Sequence, residues 1–133
     1  MAIQRVFASV FTDRLQESRD FWVGLLGFTV SFDSNWFVQL ASPGDASLEL
    51  GLLLRNHETV PEHWQHYPRG TLITVVGDDA DAVHARALAR GDRVVEEPKD
   101  MFYGMRRLLL ADPNGQLIDV SSPLDRDPTE VDV

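Results

Sequence analysis

A chain of 133 residues that is 44% apolar and 25% charged can fill one well-buried core and is too short for two ordinary domains, so disordered, fibrous and membrane classes are set aside. The formal charge of -9 argues against the clustered Lys and Arg of a nucleic-acid binder and suits cationic or neutral small ligands. Cys is absent, which removes disulfides, thiolate metal sites and a thiol nucleophile; no apolar run reaches the roughly 20 residues of a membrane span, and no basic-then-apolar leader opens the chain, so a cytoplasmic protein is expected.

Ile3 to Thr12, rich in β-branched and aromatic residues, predicts a first strand. Asp13 offers an N-cap oxygen to a helix whose buried stripe is Leu15, Ser18, Phe21, Trp22, Leu25 and Leu26, closed by Gly27. Phe28 to Asp33 and Trp36 to Ala41 read as a hairpin around Asp33-Ser34-Asn35, and Ser47 to Leu54 follows the Pro43-Gly44-Asp45 turn as a fourth strand. The connector 55–69 is long, polar and His-rich, with Pro61 able to start a short helical turn. Thr71 to Val76 predicts a strand, and Asp79 opens a second helix with Ala80, Val83, Ala87 and Leu88 buried and Gly91 as its cap. Arg93 to Glu97 is expected as a strand stopped by Pro98, Lys99 to Gly104 as a loop, and Met105 to Ala111 and Gln116 to Ser121 as the last two strands. The acidic stretch from Pro123 to Val133 reads as a solvated, weakly ordered tail.

The two halves repeat one another. The opening Asp recurs after 66 residues (Asp13, Asp79), the closing Gly after 64 (Gly27, Gly91), the turn Gly after 71 (Gly44, Gly115) and a strand acid after 70 (Glu49, Asp119). A duplicated βαβββ unit, with modules 3–54 and 70–122 in a single domain spanning 1–123, is the economical reading, and it sets Glu49 and Asp119 as symmetric partners.

The segments Asp13 to Phe28, Ala80 to Gly91 and Ala111 to Val120, in that order, resemble the vicinal oxygen chelate superfamily of glyoxalase I, bleomycin-resistance proteins, fosfomycin-resistance enzymes and extradiol dioxygenases. The resemblance implies an α+β fold of two βαβββ modules whose curved sheets surround a cleft, commonly completed as a homodimer. In the family's metalloenzymes a His, Gln or Glu on each first strand and a Glu on each fourth strand bind the metal. Carried over by position, the fourth-strand sites fall on Glu49 and Asp119 and the first-strand sites on Phe7 and Thr71. Phenylalanine offers no donor and a neutral hydroxyl is a poor one, so half the metal set is missing; a shift of two along the first strand reaches Arg5 or Ser9, and neither restores a ligand.

Strand alternation sets Ser47, Glu49 and Gly51 on one face and Leu117, Asp119 and Ser121 on one face, a pattern that an ordinary solvated face explains equally well. Trp36 and Phe37 in the first half, and Met101, Phe102, Tyr103 and Met105 around Gly104 in the second, precede the third strand of each module; aromatics there serve a core more often than a ligand, yet Trp36 and Tyr103 could stack on a planar one. Arg106 and Arg107 alternate in a strand, so that Arg107 could pair with Asp119 or orient an anionic ligand, and surface placement of both is the plainer alternative. His57, His63 and His66 read as exposed loop histidines rather than ligands, His84 as surface, and Trp64, His66 and Tyr67 as a lid over the cleft or a neighbouring subunit.

No nucleophile elbow, phosphate loop or dinucleotide fingerprint is present. Three functions follow as expectations. The first is a metal-independent, cofactor-free binder of a small, cationic aromatic, antibiotic-like molecule, resembling the bleomycin-resistance branch. The second is a divalent-metal lyase, isomerase or dioxygenase using Glu49 and Asp119, with Mg²⁺ or Mn²⁺ preferred by two carboxylates. The third is a metal-free enzyme with Glu49 or Asp119 as general base.

Overall fold

The computed structural model describes residues 1–124; of the tail expected from Pro123 to Val133, Pro123 ends the last strand and 125–133 lie outside the described residues. The chain divides into two compact units, the first holding Met1–Arg69 with Pro113–Gly115, the second Gly70–Asp112 and the chain from Gln116 onward.

In the first unit, β1 (Ala8–Thr12), β2 (Thr29–Asp33), β3 (Phe37–Ala41) and β4 (Glu49–Leu54) form one sheet in the order β1-β4-β3-β2, with β1 parallel to β4 and the other pairs antiparallel. Val10 and Thr12, Leu50 and Leu52, and Val38 and Leu40 share the buried face, as a period of two requires. Against that face pack α1 (Leu15–Asp20) and the wider π-helical turn Phe21–Leu25 that continues it. Ser18, Phe21, Trp22 and Leu25 are all buried there, as their spacing predicts. The Gly27 N–H donates to the Val23 carbonyl and the Phe28 N–H to that of Trp22, with Gly27 at φ 76°, a conformation that glycine adopts without a Cβ penalty.

The start of α1 differs from expectation. Its cap position is Arg14, without a side-chain cap bond, and the Arg14 N–H donates instead to Thr12 Oγ1 at 2.8 Å. Asp13 is drawn away by Arg55, whose Nε donates to its carboxylate at 2.9 Å. The first strand is also shorter than its composition suggests, because β4 gives pairing partners only from Ala8 onward.

In the second unit, β5 (Leu72–Val76), β6 (Arg93–Asp100), β7 (Met105–Ala111) and β8 (Leu117–Pro123) repeat the arrangement in the order β5-β8-β7-β6, again with the first and last strands parallel. The duplication read from the sequence is thus reproduced strand for strand. Helix α2 (Ala80–Arg90) is capped by the Asp79 carboxylate, which accepts from the Ala82 N–H at 3.0 Å, and ends at Gly91 with φ 81°. Ala80 and Ala87 are buried under it, whereas Leu88 is 60% exposed and leaves the expected stripe.

β6 does not stop at Pro98. It runs on to Asp100, with pairing shifts between Val94 and Glu96 and between Glu96 and Lys99. β6 is an edge strand, where a missing N–H costs no ladder bond, and irregular pairing is where proline is tolerated.

Candidate functional site

In the first unit the register places Ser9, Gly51 and Gln39 on one row and Glu49 opposite Ala41; Phe7, one residue before the Ala8–Leu50 pair, stands level with Glu49. This row of side chains lies on the sheet face turned away from α1. Glu49 is largely enclosed, with its side chain 11% exposed.

Its carboxylate is occupied by Arg5. Nε of Arg5 donates to Oε2 at 2.5 Å and Nη2 donates to Oε1, a fork that fits the planar carboxylate. Gln39 Nε2 adds a bond to Oε1 at 3.3 Å, and the Arg5 guanidinium lies 4.9 Å from the Phe7 ring centroid. Beside them a Cβ on Gly51 would come within 2.6 Å of Ser9 Oγ and 2.9 Å of the Phe37 ring, so any larger residue there must displace one of those side chains.

The Arg5 hydrogen bonds hold the Glu49 carboxyl below its ordinary value of 4.5, with desolvation opposing them and the Arg5 charge and Gln39 assisting. A depressed folded-state pKa makes a contribution to stability that is present above the ordinary carboxylate range and is lost as pH falls through the folded value. Side-chain carbon-13 NMR is expected to give a Glu49 midpoint below 4.5, and Arg5→Ala should move it upward.

In the second unit Asp119 is buried, 7% exposed, and stands opposite Leu109 on one side and Thr74 on the other. Ser121 Oγ donates to it at 2.5 Å and Thr74 Oγ1 at 3.3 Å; among the described residues it makes no ion pair. Thr74, not Thr71, is therefore the residue level with the acid. Thr71 stands beside Gln116, donating to its Oε1 at 3.1 Å and accepting on its carbonyl from Gln116 Nε2 at 3.0 Å. The reason is spacing. Ala8 pairs 42 residues ahead with Leu50, whereas Leu72 pairs 45 residues ahead with Leu117, so the first-strand residue level with the acid stands at a different separation in the two halves.

Met105 and Arg107 share the Asp119 face, opposite Pro123 and Ser121. Of the alternatives for Arg107, a pair with Asp119 does not form: Arg107 Nη2 donates to Glu96 at 3.3 Å, and Lys99 approaches the same carboxylate at 2.7 Å. Those cations, Lys99 foremost, hold the Glu96 carboxyl below its usual range. Arg106 points the other way, to Asp81 and Asp100. Phe102 is 66% exposed, with Tyr103 edge-on to it at 5.2 Å, in the loop before β7.

Trp36 stacks on His57 at 4.1 Å and 12°. It sits at the Leu54 end of β4, about 17 Å from Glu49 by the strand rise, so the two do not meet. In the connector Tyr67 lies under Arg55, 4.5 Å from its guanidinium, and Trp64 is exposed. Sequence reasoning missed Gln39, Thr74 and Ser121 as partners of the two acids and passed over Arg5 because it searched for metal donors rather than for a cation.

A family model described as Glyoxalase/Bleomycin resistance protein/Dioxygenase superfamily matches residues 3–120, and the chain belongs to that superfamily. The chain is 30% identical over 123 residues to the curated proteins named "Putative glyoxylase CFP32" of Mycobacterium bovis and Mycobacterium tuberculosis, covering 89% of this chain and 43% of those proteins, so it spans less than half of their length. Among solved structures it resembles TnmS3, an antibiotic binding protein from Streptomyces sp. CB03234, at 32% identity and TM-score 0.69 over 92% of this chain and 98% of that one. It also resembles a superfamily member from Sphaerobacter thermophilus at 25% identity and TM-score 0.72, over 91% and 98%.

The metal that this fold family implies is tested by the donors present. Phe7 has none, Arg5 covers Glu49, and Asp119 is accompanied by hydroxyls. Among the described residues no three His, Asp or Glu side chains cluster as a metal site. The residues do not fit the group.

Proposed function

We propose that this protein binds a small molecule without a metal, in the manner of the bleomycin-resistance branch of its superfamily. The observation that carries the reading is the Glu49 row, where a ring and an arginine fork stand at the places a chelating member needs for donors. The likeness to an antibiotic binding protein supports the same reading. Homodimerisation and cytoplasmic residence belong to the proposal; the exposed apolar side chains Leu72 and Val76 on the edge strand β5 support the former, and the absence of cysteine accords with the latter.

Isothermal titration against a panel of glycopeptide and planar aromatic antibiotics, run in chelator and again with Mn²⁺, tests it. Saturable binding at micromolar Kd that is equal in both buffers is the expected result, with a dimer mass by light scattering. Binding that appears only with Mn²⁺, or no binding across the panel, removes the reading.

A further inference from the structure

The geometry points to Arg5 as the specificity-determining residue of the Glu49 row: its guanidinium serves as an internal cation that fills the carboxylate and keeps other cations out.

The asymmetry of exposure is the first ground. Glu49 is set into the sheet with 11% of its side chain exposed, while Arg5 is 56% exposed and comes from chain that precedes β1 and has no strand pairing. The arginine covers the acid from outside; it is not part of the wall. The recognition elements are the second ground. A fork of two carboxylate oxygens, an aromatic ring at 4.9 Å and a neutral amide from Gln39 together make a receptor for a planar, delocalised monocation. The same set is poor for a divalent metal, which needs more oxygen donors than one carboxylate and an amide, with a ring opposite. The chain's own arginine satisfies that receptor, so a cationic ligand gains at Glu49 only what it takes from Arg5.

This reverses the inference from net charge, that an acidic protein draws a cationic ligand, for this face: the acid is already neutralised. It rests on the reading of the Glu49 row as a ligand-facing surface, while its test does not involve the antibiotic panel, so either can fail without the other.

Benzamidinium, an aromatic analogue of the arginine head, is the probe, followed by ligand-observed and amide proton NMR. Wild-type protein is expected to show no saturable shift at Glu49, Gln39 or Gly51. Arg5→Ala, and independently Arg5→Gln, should open the receptor and bind benzamidinium at least about tenfold more tightly than wild type, as forked, ring-stacked cations do. The double variant Arg5→Ala/Glu49→Gln should return to wild-type behaviour. Equal binding by wild type and both Arg5 variants, or retained binding in the double variant, overturns the proposal. Cooperative thermal unfolding and amide shifts unchanged away from the Glu49 row show that the fold of the variants is intact, with the Arg5 variants melting somewhat below wild type at neutral pH because the pair is lost.

Discussion

Thr12→Val should cost about 2–4 kcal/mol of stability and lower the melting temperature by roughly 10 °C, although it removes no volume. Thr12 and Ser18 are both fully buried, and with Asn114 they close a ring of hydrogen bonds in the first unit. Thr12 Oγ1 donates to Asn114 Oδ1 at 2.9 Å, Asn114 Nδ2 donates to Ser18 Oγ at 2.7 Å, and the Thr12 and Ser18 hydroxyls meet at 2.8 Å. Each hydroxyl has one proton, so with Thr12 donating to Asn114 the Ser18 proton must go to Thr12 and the circuit closes in one sense. Thr12 Oγ1 also accepts the Arg14 N–H that begins α1. Valine keeps the shape and leaves the Ser18 proton and that backbone donor without their acceptor, and unsatisfied buried groups are what make hydrogen-bond deletions expensive. Asn114→Ala breaks the same ring from the other side, so the double variant should lose less than the sum of the two single losses. Denaturant unfolding of the four proteins measures this. A Thr12→Val protein as stable as wild type would show that the ring adds nothing.

Trp22→Ala should destabilise by about 3–5 kcal/mol, the range for removing a fully buried aromatic. Trp22 is completely enclosed, edge-on to Phe21 at 5.8 Å and to Phe28 at 5.2 Å. Its indole N–H, however, finds no acceptor among the described residues. Trp22→Phe leaves a smaller void and removes that donor, so its cost should be under about 2 kcal/mol, well below that of alanine. Equal losses for Phe and Ala would mean that the size of the void does not set the energy, and would overturn this account. The same unfolding measurement decides between them.

Elements governed by short-range chemistry were readable before the fold was known. Asp79 and Gly91 cap α2 because each acts on backbone within a few positions of itself. The mirrored strand order of the two units follows from turn residues and hydrophobic period in each half. The misreadings have one origin, competition from outside the local segment. Asp13 resembled a cap until Arg55, 42 positions away, claimed its carboxylate. Pro98 read as a stop because no local pattern announces an edge strand. Leu88 fitted the helical stripe by spacing, but only Ala80 and Ala87 are fully buried beneath α2.

The candidate site divides in the same way. The two acids and their strand faces were legible from alternation and duplication, while their partners were not. Glu49 is joined by Arg5 from 44 positions earlier, and Asp119 by Thr74 from 45 positions earlier, where the family pattern carried over by position had indicated Thr71. Arg107 is held by Glu96 through an edge strand whose irregular pairing no periodicity encodes.

The order of residues by itself determined the family, the repeated βαβββ plan and the positions of the carboxylates, because those depend on period, turn chemistry and caps acting over a few residues. Which charge each carboxylate meets was decided only by the tertiary structure. A hydrogen-bonded ion pair is set by distances of a few ångströms between side chains that strand register brings together, and a register difference of three residues between the halves is enough to exchange one partner for another.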